Sequence, residues 1–90
     1  MAERITVATQ QGLVFNFDGE VLEVFSYDDS RRIHLRQIRS IEMGRGFLGG
    51  SMFSVALKAG QTYALQVKLD DAEAVQLQEL ADAVTAALVS

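Results

Sequence analysis

The sequence predicts a mainly β, α+β domain: about seven short antiparallel strands followed by one C-terminal helix. Three observations carry this reading. Glycines and Asn/Asp clusters cut the chain at short regular intervals, the runs between them alternate apolar and polar residues, and the period changes from two to that of a helix at Asp71. Ninety residues make one domain, 1–90, with strands within about 4–67 and the helix over about 71–88. Leu, Ile, Val and Phe account for 28 of the 90 residues, which is enough apolar material for one modest core.

Taken in order, Ile5 and Val7 alternate with Arg4, Thr6 and Ala8, and Gln10-Gln11-Gly12 turns the chain into Leu13, Phe15 and Phe17. Asp18-Gly19 predicts a tight type I′ hairpin turn, and Glu20 to Tyr27, rich in Val, Phe and Tyr, makes a third strand. After the Asp28-Asp29-Ser30 turn, Arg31 to Arg36 reads as a fourth strand with Ile33 and Leu35 on one face and Arg32, His34 and Arg36 on the other. Ile38 to Met43 is the fifth strand, ended by a glycine-rich loop over Gly44 to Gly50. Phe53, Val55 and Leu57, then Tyr63, Leu65 and Val67, alternate on either side of Ala59-Gly60 as a hairpin.

From Asp71, Leu77, Leu80, Ala81, Val84 and Leu88 fall on one helical stripe, while Gln76, Glu79 and Asp82 turn away from it. Asp70 with Glu73 three residues on is an N-cap with its reciprocal acid. With no second helix to meet, the stripe must lie across the sheet.

Composition narrows the chemistry. The absence of cysteine removes disulfides, thiolate nucleophiles and zinc-thiolate sites, and a formal charge of −4 speaks against nucleic acid as a partner. No apolar run approaches the roughly 20 residues of a spanning helix. Met1-Ala2-Glu3-Arg4 leads into alternating residues without an apolar signal core, so a cytoplasmic location is expected.

Ile33-His34-Leu35-Arg36-Gln37-Ile38-Arg39-Ser40-Ile41-Glu42 follows an I-x-L-x-x-I-x-x-I-E rhythm. Together with the order of seven strands and a terminal helix, it resembles the pleckstrin-homology-like superfold, particularly its small bacterial members. The resemblance covers nearly the whole chain. It implies a bent, orthogonally packed sheet in a partly open barrel or sandwich, capped by residues 71 to 88 and used to bind lipid headgroups, peptides or other domains, with no catalytic motif. The first hairpin loop, Thr9-Gln10-Gln11-Gly12, has no Lys or Arg where the phosphoinositide-binding version keeps a basic cluster.

Candidate functional residues cluster in the middle of the chain. Gly44-Arg45-Gly46-Phe47-Leu48-Gly49 matches G-x-G-x-x-G, but the dinucleotide fingerprint needs a helix next, and Ser51 to Lys58 alternates as a strand. Arg31, Arg32, Arg36, Arg39 and Arg45 stand beside one acid, Glu42, so residues 31 to 45 carry +4 against −8 elsewhere. Guanidinium groups there suit an anionic partner, or pair with Asp28, Asp29 and Glu23 on a solvated face. Phe47 and Leu48 are either a presented apolar tip or a plug over an open end of the sheet.

His34 has no second ligand for a metal, and the acid pairs 28–29 and 70–71 suit turn and cap roles better than catalysis. The expectation is a non-catalytic module without metal or cofactor that binds a protein partner or a second copy of itself. Its contact surface would combine Arg32, His34 and Arg36 with Arg45, Phe47 and Leu48. The alternative is peripheral binding of anionic lipid headgroups, or of another small anion, through Arg31 to Arg45.

Overall fold

Alternating side chains joined by turns at glycine leave the chain little choice but successive hairpins. A computed structural model of the protein describes residues 4–27, 29–45 and 50–89, with Arg45 described by its backbone alone. Seven strands form: β1 (Ile5–Ala8), β2 (Val14–Phe17), β3 (Val21–Phe25), β4 (Ser30–His34), β5 (Ile38–Arg45), β6 (Ser51–Leu57) and β7 (Thr62–Val67). Helix α1 (Asp71–Leu88) follows them. All pairings are antiparallel, in a four-stranded sheet of order β1-β2-β3-β4 and a three-stranded sheet of order β5-β6-β7. Among the described residues no ladder joins the two sheets, so they form a sandwich and not a closed barrel. Among the described residues no helix is long and apolar enough to cross a membrane.

The rows across the first sheet show how alternation sorts the residues. Ile5, Phe17, Leu22 and Ile33 stand in one row, and Val7, Phe15 and Val24 in another, facing the core. Between them, on the outer face, Thr6, Asn16, Glu23 and Arg32 stand side by side. The second sheet contributes Ile41, Phe53, Val55 and Val67, and the Phe15 and Phe53 rings meet edge-on between the sheets at 4.9 Å. Leu77, Leu80, Ala81 and Val84 of α1 are buried, and Leu88 is half-buried, on the predicted stripe. The helix packs on β1, β2 and β5, closing the side of the sandwich where β1 and β5 are the sheet edges.

Three local expectations need correction. The fourth strand does not run to Arg36: it stops at His34, and Leu35–Gln37 forms a 3-10 turn. The chain must leave one sheet for the other there, and three contacts hold the crossing. Leu35 N–H donates to the Glu20 carbonyl (2.7 Å), His34 N–H to Gln37 Oε1 (3.0 Å) and Lys58 N–H to the Gln37 carbonyl (2.9 Å). Asp18 is not a central residue of its hairpin turn. It flanks Gly19-Glu20, and its carboxylate accepts from the Glu20 and Val21 amides while Gly19 takes the positive φ of 100°. The third strand ends at Phe25, leaving Tyr27 99% exposed beyond it.

Candidate interaction cleft

The β2–β3 turn, the 3-10 crossing, the β6–β7 turn and the last turn of α1 converge at one end of the sandwich. They enclose a cleft of about 380 Å³ lined by Glu20, His34, Leu35, Arg36, Lys58, Ala87 and Leu88. Leu35, Ala87 and Leu88 are half-buried and make its apolar lining, while Arg36 and Lys58 are exposed. Among the described residues Arg36 and Lys58 enter no ion pair. The last turn of α1 carries no basic residue of its own, and these two cations from other elements line the same cleft as its residues Ala87 and Leu88. His34 Nδ1 is buried without a hydrogen-bond partner.

The opposite end is latched instead. Gln10 N–H donates to Glu73 Oε2 (2.8 Å) and Lys68 N–H to Gln11 Oε1 (2.9 Å), tying the first hairpin turn to the start of the helix.

Of the expected contact residues, the structure brings His34 and Arg36 together in the cleft. Arg32 lies apart on the outer face of the four-stranded sheet, its Nε 3.4 Å from Glu23 Oε2. Gly44 and Arg45 extend β5 and do not open the expected glycine-rich loop, so Arg45 is the last residue of that strand, at its far end from the 3-10 turn that carries Arg36. Phe47 and Leu48, and with them the tip of the Gly44 to Gly50 loop, lie outside the described residues, as does Asp28. The element after that loop is strand β6, which is the wrong context for a dinucleotide cradle.

The sequence marks Arg31 by its charge alone. Its guanidinium sits 4.9 Å from the centre of the Tyr63 ring, beside a second cleft of about 390 Å³ lined by Arg31, Leu57, Gln61, Thr62 and Tyr63. Burial raises the Tyr63 hydroxyl pKa above its ordinary value, with the Arg31 charge opposing. Glu20, Leu35, Lys58, Ala87 and Leu88 had no functional signal in the sequence, because they meet only where three turns and a helix end converge.

No protein-family model matches the chain, and no curated protein matches it as a relative.

Proposed function

We propose that this protein is a non-catalytic interaction module that holds an acidic, partly apolar segment of a protein partner in the cleft between the 3-10 crossing and the end of α1. The observation that carries the reading is the pairing of two cations that enter no ion pair among the described residues, Arg36 and Lys58, with an apolar lining of Leu35, Ala87 and Leu88 in one concavity. A carboxylate fits the former and an aliphatic or aromatic side chain the latter. The resemblance to pleckstrin-homology-like domains agrees with a binding role.

Anionic lipid headgroups are the second reading, favoured by the exposure of Arg31, Arg32, Arg36 and Arg39 within nine residues. Peptide binding is preferred because those arginines are dispersed. Arg32 is paired with Glu23, and Arg31 stacks on Tyr63.

Amide chemical-shift titration with short acidic peptides containing Phe or Leu tests the proposal. Shifts centred on Leu35, Lys58, Ala87 and Leu88, lost in the Arg36→Glu/Lys58→Glu variant at unchanged melting temperature, are expected. A variant that loses stability but keeps the shifts would make the two cations partners of the helix end and nothing more. Co-sedimentation with anionic but not neutral vesicles, without peptide binding, would favour the lipid reading.

A further inference from the structure

The four sheet edges are not equally protected. Strands β1 and β5 lie under α1, and β5 also carries Arg39, Glu42 and a register irregularity between Ile38 and Ser40. The edge strand β4 carries Arg31 and Arg32. Such devices, a covering helix, a bulge or charge on the edge, are how natural sheets keep edges from pairing with other chains. Edge strand β7 carries none of them itself, and the charge beside it is that of Arg31 on β4, whose guanidinium stacks on Tyr63. Thr62-Tyr63-Ala64-Leu65-Gln66-Val67 contains no charge, proline or glycine, runs in unbroken register with β6, and pairs with no other described strand.

The hydrogen-bond pattern tells which backbone groups this edge offers. Leu57 N–H donates to the Gln61 carbonyl (2.8 Å), so that opposed pair is a bonded one. Antiparallel pairs alternate between bonded and non-bonded. Tyr63, Leu65 and Val67 therefore direct their amides and carbonyls toward β6, opposite Val55, Phe53 and Ser51, and Thr62, Ala64 and Gln66 direct theirs outward. The second cleft, lined by Arg31, Leu57, Gln61, Thr62 and Tyr63, lies beside the first half of the edge.

We infer that β7 pairs antiparallel with β7 of a second copy of this chain, about a two-fold axis normal to the sheet and passing beside Ala64, to give a continuous six-stranded sheet. In this register every outward backbone group is used. Thr62 faces Gln66 of the second copy and Ala64 faces its own equivalent as bonded pairs, on the outer face, where a hydroxyl and an amide suit each other. Tyr63 faces Leu65 on the inner face, an aromatic and aliphatic pair of the kind that stabilises sheets. A second copy fits better than an unrelated strand because the segment is complementary to itself: the central residue is small, no like charges oppose, and a closed two-fold contact leaves no further edge of this kind. One strand pair buries less than a standard stable interface, so association should depend on concentration in an accessible range.

Sedimentation equilibrium over a concentration series tests this. The wild-type mass should rise from 9.9 kDa toward twice that value. Ala64→Lys and Ala64→Glu, at an exposed position, should each stay at the single-chain mass because like charges meet across the axis, and an equimolar mixture of the two should associate again. A wild type that stays at the single-chain mass throughout, or an Ala64→Lys variant that associates as the wild type does, would overturn the inference. A mixture that fails to associate while the wild type does would overturn the Ala64-centred register. Association of wild type only with an added extended peptide would assign the edge to a different partner.

Discussion

The amide of Gln10 donates to the carboxylate of Glu73, 63 positions later in the chain, at 2.8 Å. The same carboxylate accepts from the Asp70 amide (3.1 Å), and Asp70 in turn caps the Glu73 amide (2.7 Å). Glu73 is 8% exposed, an unusual position for a glutamate, and both of its oxygens are satisfied by backbone donors. One side chain thus starts the helix and fastens it to the first hairpin.

Glu73→Ala should therefore cost more than a cap residue alone. Losing an exposed cap costs about 1 kcal/mol, and leaving the Gln10 amide without its acceptor adds about 1–3 kcal/mol. Denaturant melts should show the loss, and hydrogen exchange at Gln10 should accelerate. A change below about 0.5 kcal/mol with unaltered Gln10 exchange would mean that water replaces the carboxylate at no cost.

Leu80 is fully buried on the helical stripe. Leu80→Ala should cost about 2–5 kcal/mol, the range for a large core side chain replaced by a cavity. Val75, on the same helix and 59% exposed, is the control: Val75→Ala should change stability by less than about 0.5 kcal/mol in the same melts. Equal effects at the two sites would mean the helix is rotated from the phase described.

That phase was legible in the sequence because a helix covering a sheet has one apolar stripe, and Leu77, Leu80, Ala81 and Val84 could fall on no other face. The hairpin order was legible for the same reason at period two. Where legibility failed, alternation continued past the point at which the backbone changed. Arg31 to Arg36 keeps the period of a strand, but Leu35 turns onto the 3-10 crossing because the chain must change sheets, a tertiary demand that no local pattern records. The site suffered most from this. Alternation puts Arg36 beside Arg32 on a strand face, whereas the fold sets it in one cleft with Lys58 and Leu88, 22 and 52 positions away. The Asp70–Glu73 cap was readable from its spacing, while the Gln10 half of the latch was not, since nothing local marks a backbone amide as a long-range donor.

Asp18 gives the stability a defined acid dependence. Hydrogen bonds from the Val21 amide first, then the Glu20 amide, hold its carboxyl below the ordinary 3.8. The folded state thus releases the proton more readily than the unfolded chain, so the contribution is present above about pH 3.8 and is lost as pH falls through the lower folded value. Comparing wild type with Asp18→Ala, the difference in melting temperature should be constant near neutrality and shrink toward zero in acid. A difference that persists unchanged at low pH would show that the turn is held by something other than the ionised carboxylate.

The outer row of the first sheet separates two polar contributions that look alike in sequence. Thr6 Oγ1 donates to Asn16 Oδ1 (2.9 Å), Asn16 Nδ2 donates to Glu23 Oε1 (3.0 Å), and Arg32 approaches Glu23 Oε2 at 3.4 Å. Asn16 is 8% exposed, so removing it breaks two hydrogen bonds away from bulk water, and Asn16→Ala should cost about 1–3 kcal/mol. The Arg32 side chain is 72% exposed, where an ion pair is screened and its geometry long, and Arg32→Ala should cost about 0–1 kcal/mol. Denaturant melts of the two single variants and the double variant measure both, and because Glu23 links them the double variant should depart from additivity by a few tenths of a kcal/mol. Were Arg32→Ala to cost as much as Asn16→Ala, Arg32 would be a structural anchor of the sheet, and its charge could not be counted among the groups free to meet an anionic partner.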